Sequence, residues 1–443
     1  MELYRFIQEN NITTYDNLKI VLESSPYNLK IKEDNIFTNL FLIHNQDNSD
    51  FNLKIVNECN GIILEKNTLK IVCYTFDKCS NSKTFPENIF NKSTPSTYVS
   101  EVQVAPDLNA SEEGIYIEYA LEGTLVRLFF TNEYGWVLST KKCIDASKSK
   151  WIGNKNFAQL FSDCLYNGLL NTDILNKNNC YSFIITHPEN ITIVNYTIPI
   201  VYHISTRDLI TLKEVYESIG LTNIDRKFVK QSELENILIN VKNDINLSYE
   251  GIVLIDNNYT RWKLRTDLFT KVRELWGNTN NRFFRYLELR KDISKLNEYL
   301  KYFEYDKHCF ISYETKIVCL ANAILLYYIG KHINKSDQKI PFFFSKIIYK
   351  LHGLFYKDKI RTDYNKIMIV LLGLDPKTVC FMINNYEKTI NTQAIYNNNN
   401  YYGAMNVDGD INHNNSIDNN EVNNEVNNEV VNNDINNEIE MIN

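Results

Sequence analysis

No CxxC pair occurs among the nine cysteines, and the seven histidines do not cluster with them. Cys73 and Cys79 flank YTFDK at a spacing that fits no zinc knuckle, so buried free thiols in a reducing compartment are the expectation. Glycine (14) and proline (8) are scarce for 443 residues, which excludes a Gly/Pro-rich fibrous or linker-dominated chain. The amino-terminal MELYRFIQENN carries charges and lacks the apolar stretch of a secretory signal. The longest apolar run, VCLANAILLYYIG, is too short to cross a bilayer and reads as a buried helix. No membrane partner is expected, and the expected location is the cytoplasm.

Basic residues are missing from the end of the chain: none follows Lys388, while Asp408 to Glu440 holds nine acidic residues. The net charge of −7 therefore conceals two regimes. Without those nine, 47 basic residues face 45 acidic ones, a net of about +2. Thr279 to Lys388 holds 19 Lys and Arg against 11 Asp and Glu, a net of +8. Such a surplus permits a phosphate-backbone partner. The segment from Asn397 onward is Asn-rich, repeats Asn-Asn-Glu-Val and spaces its apolar residues too thinly for a core, so disorder is expected.

What the chain does have is 44% hydrophobic residues, with 29 Tyr and 23 Phe, enough for packed cores. Up to about Asn278, short β-rich runs alternate with polar turns. GIILEKNTLKIVCYTF, TLVRLFFTNEYGWVLST, CYSFIITHPENITIVNYTIPIVYHIS and YEGIVLIDNNYTRWKLR read as hairpins. YIEYALEGTLVRLFF (Tyr116 to Phe130) reads the same way, with a tight turn at Gly123. DLITLKEVYESIG reads as a helix, and Gln231 to Ile245 more clearly so, because Leu234, Ile237, Leu238 and Val241 share one face. Beyond RELWGN the texture becomes helical, with Pro376 opening the last helix. The expectation is an α+β protein: an antiparallel-sheet domain over 1–278, an all-helical module over 279–392 and a disordered tail over 393–443.

Singly, the motifs are weak; their order carries weight. ECNGIILE (Glu58 to Glu65), ALEGTL (Ala120 to Leu125), FIITHPENITIVNY (Phe183 to Tyr196), YEGIVL (Tyr249 to Leu254) and RWKLRTDLFTKVRELWGN (Arg261 to Asn278) follow one another. This series resembles the nucleotidyltransferase superfamily of RNA ligases, DNA ligases and capping enzymes. It looks most like the phage-type RNA ligases and their relatives in large DNA viruses. In that family a lysine attacks the α-phosphate of ATP, the adenylate passes to a 5′-phosphate RNA end, and a 3′-hydroxyl displaces AMP. The resemblance therefore implies a nucleotidyltransferase (adenylation) fold, ATP with Mg2+ or Mn2+, and RNA as partner.

Carried across position by position, the family's Lys-x-Asp-Gly motif falls on Ala120-Leu121-Glu122-Gly123. Gly123 keeps the turn and Glu122 keeps a carboxylate, but Ala120 stands where the nucleophile belongs. No lysine lies between Gly114 and Tyr134 to replace it, and Arg127 stays protonated. The resemblance makes Glu250 a metal ligand, Lys263 and Arg265 phosphate-contacting cations, and Lys78 a nucleotide-site lysine. Taken alone, Glu250 reads as a solvent-facing strand-entry residue. Lys263 and Arg265 equally read as an exposed basic edge, and Lys78 as a solubilising charge. Two further departures are Asn60, where the family has Arg, and Ile184, where it often has an acid. These losses imply a decayed ligase that keeps RNA or nucleotide binding. Two other readings stay open: residual sealing of pre-adenylated RNA ends, and a non-catalytic interaction scaffold.

Overall fold

The computed structural model describes residues 1–79, 114–165, 170–215, 217–256, 259–359 and 361–405. The chain divides into two compact units, Met1–Glu274 and Leu275–Asn443. The first holds three sheets.

Sheet one has the order β1-β2-β3-β4, all antiparallel, from β1 (Lys30–Glu33), β2 (Leu40–His44), β3 (Asn60–Glu65) and β4 (Ile71–Cys73). Every residue of β2 is buried, because the strand serves two cores. Phe41 and Ile43 face Leu3 of α1 (Glu2–Glu9) and Leu18 and Leu22 of α2 (Tyr15–Glu23). Leu40 and Leu42, one pleat out of phase, pack with Phe129, Val137 and Cys180 of the second sheet. The short helix α3 (Lys54–Glu58) delivers Glu58, whose carboxylate accepts the free Glu2 and Leu3 amides at 3.1 and 2.7 Å and so caps α1.

The remaining strands are β5 (Gly114–Ala120), β6 (Thr124–Thr131), β7 (Gly135–Thr140), β8 (Asn179–Thr186), β9 (Ile200–Asp208), β10 (Glu214–Val215), β11 (Thr222–Asn223), β12 (Arg226–Lys230), β13 (Gly251–Ile255) and β14 (Arg261–Arg265). Sheet two runs β10-β9-β8-β6-β7, with β11 parallel to β9; sheet three runs β12-β5-β13-β14. Helix α4 (Phe157–Cys164) covers sheet two through Leu160 and Phe161. Helix α5 (Gln231–Asn243) covers sheet three, with Leu234, Ile237, Leu238 and Val241 on Ile115, Ile252 and Leu264. Its apolar spacing is the one its sequence presents.

Four of the expected hairpins form: β3–β4, β6–β7, β8–β9 and β13–β14. The fifth does not. Strands β5 and β6 belong to different sheets, so YIEYALEGTLVRLFF crosses from sheet three to sheet two. Gly123 is consequently not a tight-turn residue. It is required by close approach, since a Cβ there would lie 2.5 Å from the Ile185 carbonyl oxygen and 2.6 Å from an Ile184 methyl. The described residues of DLITLKEVYESIG are not helical either. Asp208 Oδ1 accepts from the Ile210 and Thr211 amides at 2.7 and 3.0 Å, an Asx turn that competes with helix formation. Leu212 then adopts φ 57° and the chain enters β10.

The second unit is all-helical among its described residues: α7 (Arg282–Leu289), α8 (Ile293–Tyr302), α9 (Lys307–Tyr328), α10 (Phe342–Asp358), α11 (Tyr364–Leu372) and α12 (Pro376–Met405), preceded by α6 (Asp267–Trp276) at the junction. Helix α12 continues past Gln393, where the tail was expected to begin; residues 406–443 lie outside the described ones. The expected apolar helix is longer than its run: Glu304–Ile333 is long and apolar enough to cross a membrane by length and composition. Phe310, Ile317, Leu320, Ala321 and Ile324 of that stretch are buried inside the unit.

Gly251 tests the sheet-three packing. Its φ is +150°, and a Cβ would lie 2.0 Å from the Leu264 carbonyl oxygen across the β13–β14 ladder. Gly251→Ala is expected to destabilise the fold by on the order of 2–3 kcal/mol, read as a lower midpoint in urea unfolding followed by circular dichroism; an unchanged midpoint contradicts this packing.

Candidate functional site

The residues expected to carry chemistry meet at the seam between sheets two and three. Ala120 ends β5 opposite Gly251, is 3% exposed, and accepts the Glu250 amide on its carbonyl at 2.8 Å. This bond fixes Glu250 beside the last residue of β5. Strand alternation places Lys263 and Arg265 of β14 on one face, and both reach the same oxygen: Glu250 Oε2 accepts from Lys263 Nζ at 3.2 Å and from Arg265 Nε at 3.0 Å. Glu250 is buried, so its charge is held by these two cations rather than by water. The strand-entry glutamate is therefore not solvent-facing, and the two cations of edge strand β14 are paired with it rather than fully exposed.

Glu122 stands on the crossing segment. Its Oε2 accepts the Val194 amide at 2.6 Å, while its backbone carbonyl accepts the Tyr196 hydroxyl at 2.7 Å. These bonds tie the FIITHPENITIVNY segment to the crossing. Burial raises the Glu122 carboxyl to about 7, and the nearby Glu250 charge adds in the same direction. Ile184 lies with a methyl over Gly123 and pairs with Leu125 across the β6–β8 ladder, so an apolar group seals the crossing there.

A second group of cations approaches from the loops. Lys78 donates its amide to Asn57 at 2.9 Å and sets its amine 3.3 Å above the Phe51 ring; burial lowers its pKa. Lys141, directly after β7, has a partly exposed stem and an enclosed amine near the Phe76 ring, 5.3 Å from its centroid. Burial, reinforced by Lys263, Arg127 and Lys78 against an opposing effect of Cys79, lowers that amine to about 8. Lys141 thus links the Lys78 and Lys263 positions into one positive cluster. The sequence presents no motif at Lys141; its one local signal is its place immediately after a strand end.

Arg127 closes the floor. Fully buried on β6, it donates to the Gly61 and Thr140 carbonyls, and its Nε has no hydrogen-bond partner among the described residues. Asn60, next to Gly61, leaves its buried Nδ2 without a partner as well. A guanidinium is therefore present beside the position where the resemblance leads one to expect Arg, but it comes from another strand and is spent on backbone.

The donor set suits anionic phosphates: Lys263 and Arg265 sit on Glu250, and Lys141 feels the charges of both Lys263 and Lys78. Among the described residues no three His, Cys, Asp or Glu are grouped to hold a metal. Glu250 can serve Mg2+ or Mn2+ only together with phosphate oxygens and water, as is usual for Mg2+. No group at Ala120 can act as a nucleophile, since a methyl has no lone pair.

Glu122 yields a stability signature. Its folded pKa of about 7 exceeds the unfolded value of 4.5, so the folded state holds the proton more tightly. Stability is full below about pH 4.5 and is lost as pH rises towards 7. In Glu122→Gln this loss, on the order of 1–3 kcal/mol, is expected to vanish from the pH dependence of denaturant unfolding, leaving the variant the more stable protein at pH 8.

No family model matches the chain. It is 26% identical over 195 residues to the "Immediate-early protein ICP-46 homolog" of Invertebrate iridescent virus 3, covering 41% of this chain and 42% of that protein. The protein of the same name from Invertebrate iridescent virus 6 is 25% identical over 301 residues, 59% of this chain and 66% of that one. The chain thus spans less than two thirds of either relative. Among solved structures, an archaeal ATP-dependent RNA ligase aligns in its form 2 with a TM-score of 0.39 at 12% identity, over 87% of this chain and 82% of that one. A putative ATP-dependent DNA ligase from Aquifex aeolicus aligns with a TM-score of 0.37 at 12% identity, over 77% and 80%. Scores below 0.5 leave the assignment of function to the site itself.

Proposed function

We propose that the chain is an RNA ligase-like protein that binds a nucleotide or a phosphorylated RNA end and cannot adenylate itself. The observation that supports this reading best is the cluster around Glu250: Lys263 and Arg265 are held on its carboxylate, Lys141 lies near Lys263, and the adjoining end of β5 carries Ala120. Lys263, Arg265, Lys141 and Lys78 would receive the phosphates, and an incoming phosphate competes with Glu250 for Lys263 and Arg265. Glu250 would then be released towards a divalent ion, which when bound neutralises phosphate charge. Glu122, hydrogen-bonded to the Val194 amide, orients the crossing segment rather than a reacting atom.

A second reading is favoured by the intact Glu250–Lys263–Arg265 group, because sealing of a pre-adenylated RNA end needs cations and a carboxylate but no lysine nucleophile. One paired assay addresses both. With α-labelled ATP and Mg2+ or Mn2+, no covalent protein label is expected; a labelled band that disappears on substituting a lysine of this chain overturns the first reading. With pre-adenylated RNA and no ATP, absence of joining is expected, and joining that Glu250→Ala abolishes establishes the second.

Lys141 makes nucleotide binding pH-dependent. Its amine is charged below about pH 8 and neutral above it, so calorimetric ATP affinity is expected to fall between about pH 7 and 9. Lys141→Met is expected to be flat over that range and about tenfold weaker at pH 7.

A further inference from the structure

Helix α10 (Phe342–Asp358) has the sequence FFFSKIIYKLHGLFYKD. One side is ordinary core: Phe343, Phe344, Ile347, Ile348 and Leu351 are buried, with Phe344 against Tyr327 of α9 and Tyr386 of α12. The other side is unusual. From Phe342 to Lys357 the exposed positions are Phe342, Lys346, Tyr349, Lys350, Gly353, Tyr356 and Lys357. Each is an aromatic, a lysine or the single glycine, and no Asp or Glu occurs in that span.

At 100° per residue these positions occupy about a third of the helix circumference. Phe342, Tyr349 and Tyr356 recur every seventh residue along one border, and Lys346, Lys350 and Lys357 along the other. The rings stand well out, at 71%, 56% and 61% exposure. Two are braced from beneath: Tyr349 meets the edge of His332 at 6.0 Å, and Tyr356 the edge of His352 at 4.7 Å. Those histidines stack on each other at 3.7 Å, so the tyrosines are supported at little further cost in rotamer entropy. A Cβ at Gly353 would meet nothing within 4 Å, so the middle of the track is open. Lys359 adds a cation 5.5 Å from the Tyr356 ring centroid.

Three exposed rings aligned along one face of a single helix form a patch rather than scattered singles, and such patches mark binding surfaces. An acidless row of lysines beside them selects an anionic partner with flat faces. We propose that this track on α10 docks single-stranded RNA, bases stacking on Phe342, Tyr349 and Tyr356 while Lys346, Lys350 and Lys357 follow the phosphates. The track is about 21 Å long, enough for a few nucleotides. A second copy of the chain fits poorly, because pairing two such faces opposes lysine to lysine. The proposal deepens the RNA-binding part of the function above, on which it rests for the class of strand; none of its residues belongs to the nucleotide cluster.

The test is fluorescence anisotropy of labelled oligouridine of about 20 nucleotides with the full chain over a range of KCl concentrations. Tyr349→Ala/Tyr356→Ala is expected to weaken binding by about tenfold or more. Lys346→Ala/Lys350→Ala/Lys357→Ala is expected to flatten the log–log salt slope by about 2. Both variants, altered only at exposed positions, should keep the parent's melting midpoint and its ATP titration. Oligouridine affinity unchanged in the tyrosine variant overturns the proposal. So does tyrosine-dependent dimerisation in light scattering, or tyrosine-dependent binding to phosphatidylserine vesicles, without an effect on oligouridine. Loss of ATP binding with the tyrosine effect intact instead sinks the nucleotide reading and leaves this one standing.

Discussion

Close backbone approach at two glycines is the constraint on which the first unit depends. Gly123 lets the crossing segment lie against β8, and Gly251 lets β13 lie against β14. A side chain at either position would force the ladders apart. Because β5 ends in one sheet and β6 begins in another, that crossing brings three separated stretches together: the Glu122 region, the Val194–Tyr196 stretch that bonds to it, and the Glu250 strand entry. A buried ion pair reinforces the seam from the other side. Arg261 of β14 holds Glu214 of β10 through two hydrogen bonds of 2.8 and 2.6 Å, with both side chains 3% exposed. Such a pair adds geometry more surely than stability, and here it ties sheet two to sheet three.

The electrostatics of the seam follow from this geometry. One carboxylate, Glu250, is shared by two cations, while Lys141 is buried, crowded by cations and low in basicity. A cluster so arranged is short of negative charge, which on the proposed reading a phosphate would supply. On the proposed reading, Ala120 takes away the neutral amine that self-adenylation needs at the end of β5, while the Glu250, Lys263 and Arg265 group stays in place; binding and covalent chemistry would then be separable, since they depend on different atoms.

The hairpins β3–β4, β6–β7, β8–β9 and β13–β14 were legible because both partners of each ladder are close in sequence, and alternation with a polar turn is a local signal. Sheet membership of β5 and β6 was not, for the choice between a hairpin and a crossing depends on Ile184 and Ile185 of β8, some sixty residues away. The Asp208 region misled for a related reason: its apolar spacing mimics a helix, but the Asx turn and the demand of β10 for a place beside β9 prevail. Within the site, Glu250, Lys263 and Arg265 were readable as a set, whereas Lys141 was not. Its low basicity arises first from burial and then from cations drawn from β14, β6 and the loop after β4, and no window of sequence contains them.

The sequence by itself determined the alternation of strands, the face of α5, the helical texture beyond the first unit and the absence of an amine at position 120, because periodicity and residue identity are local. Tertiary structure alone decided that Gly123 serves a crossing, that Glu250 is buried under two cations, and that the lysines and rings of α10 form an outward track. Each of these depends on which surfaces are covered, and burial is settled by contacts between segments far apart in the chain.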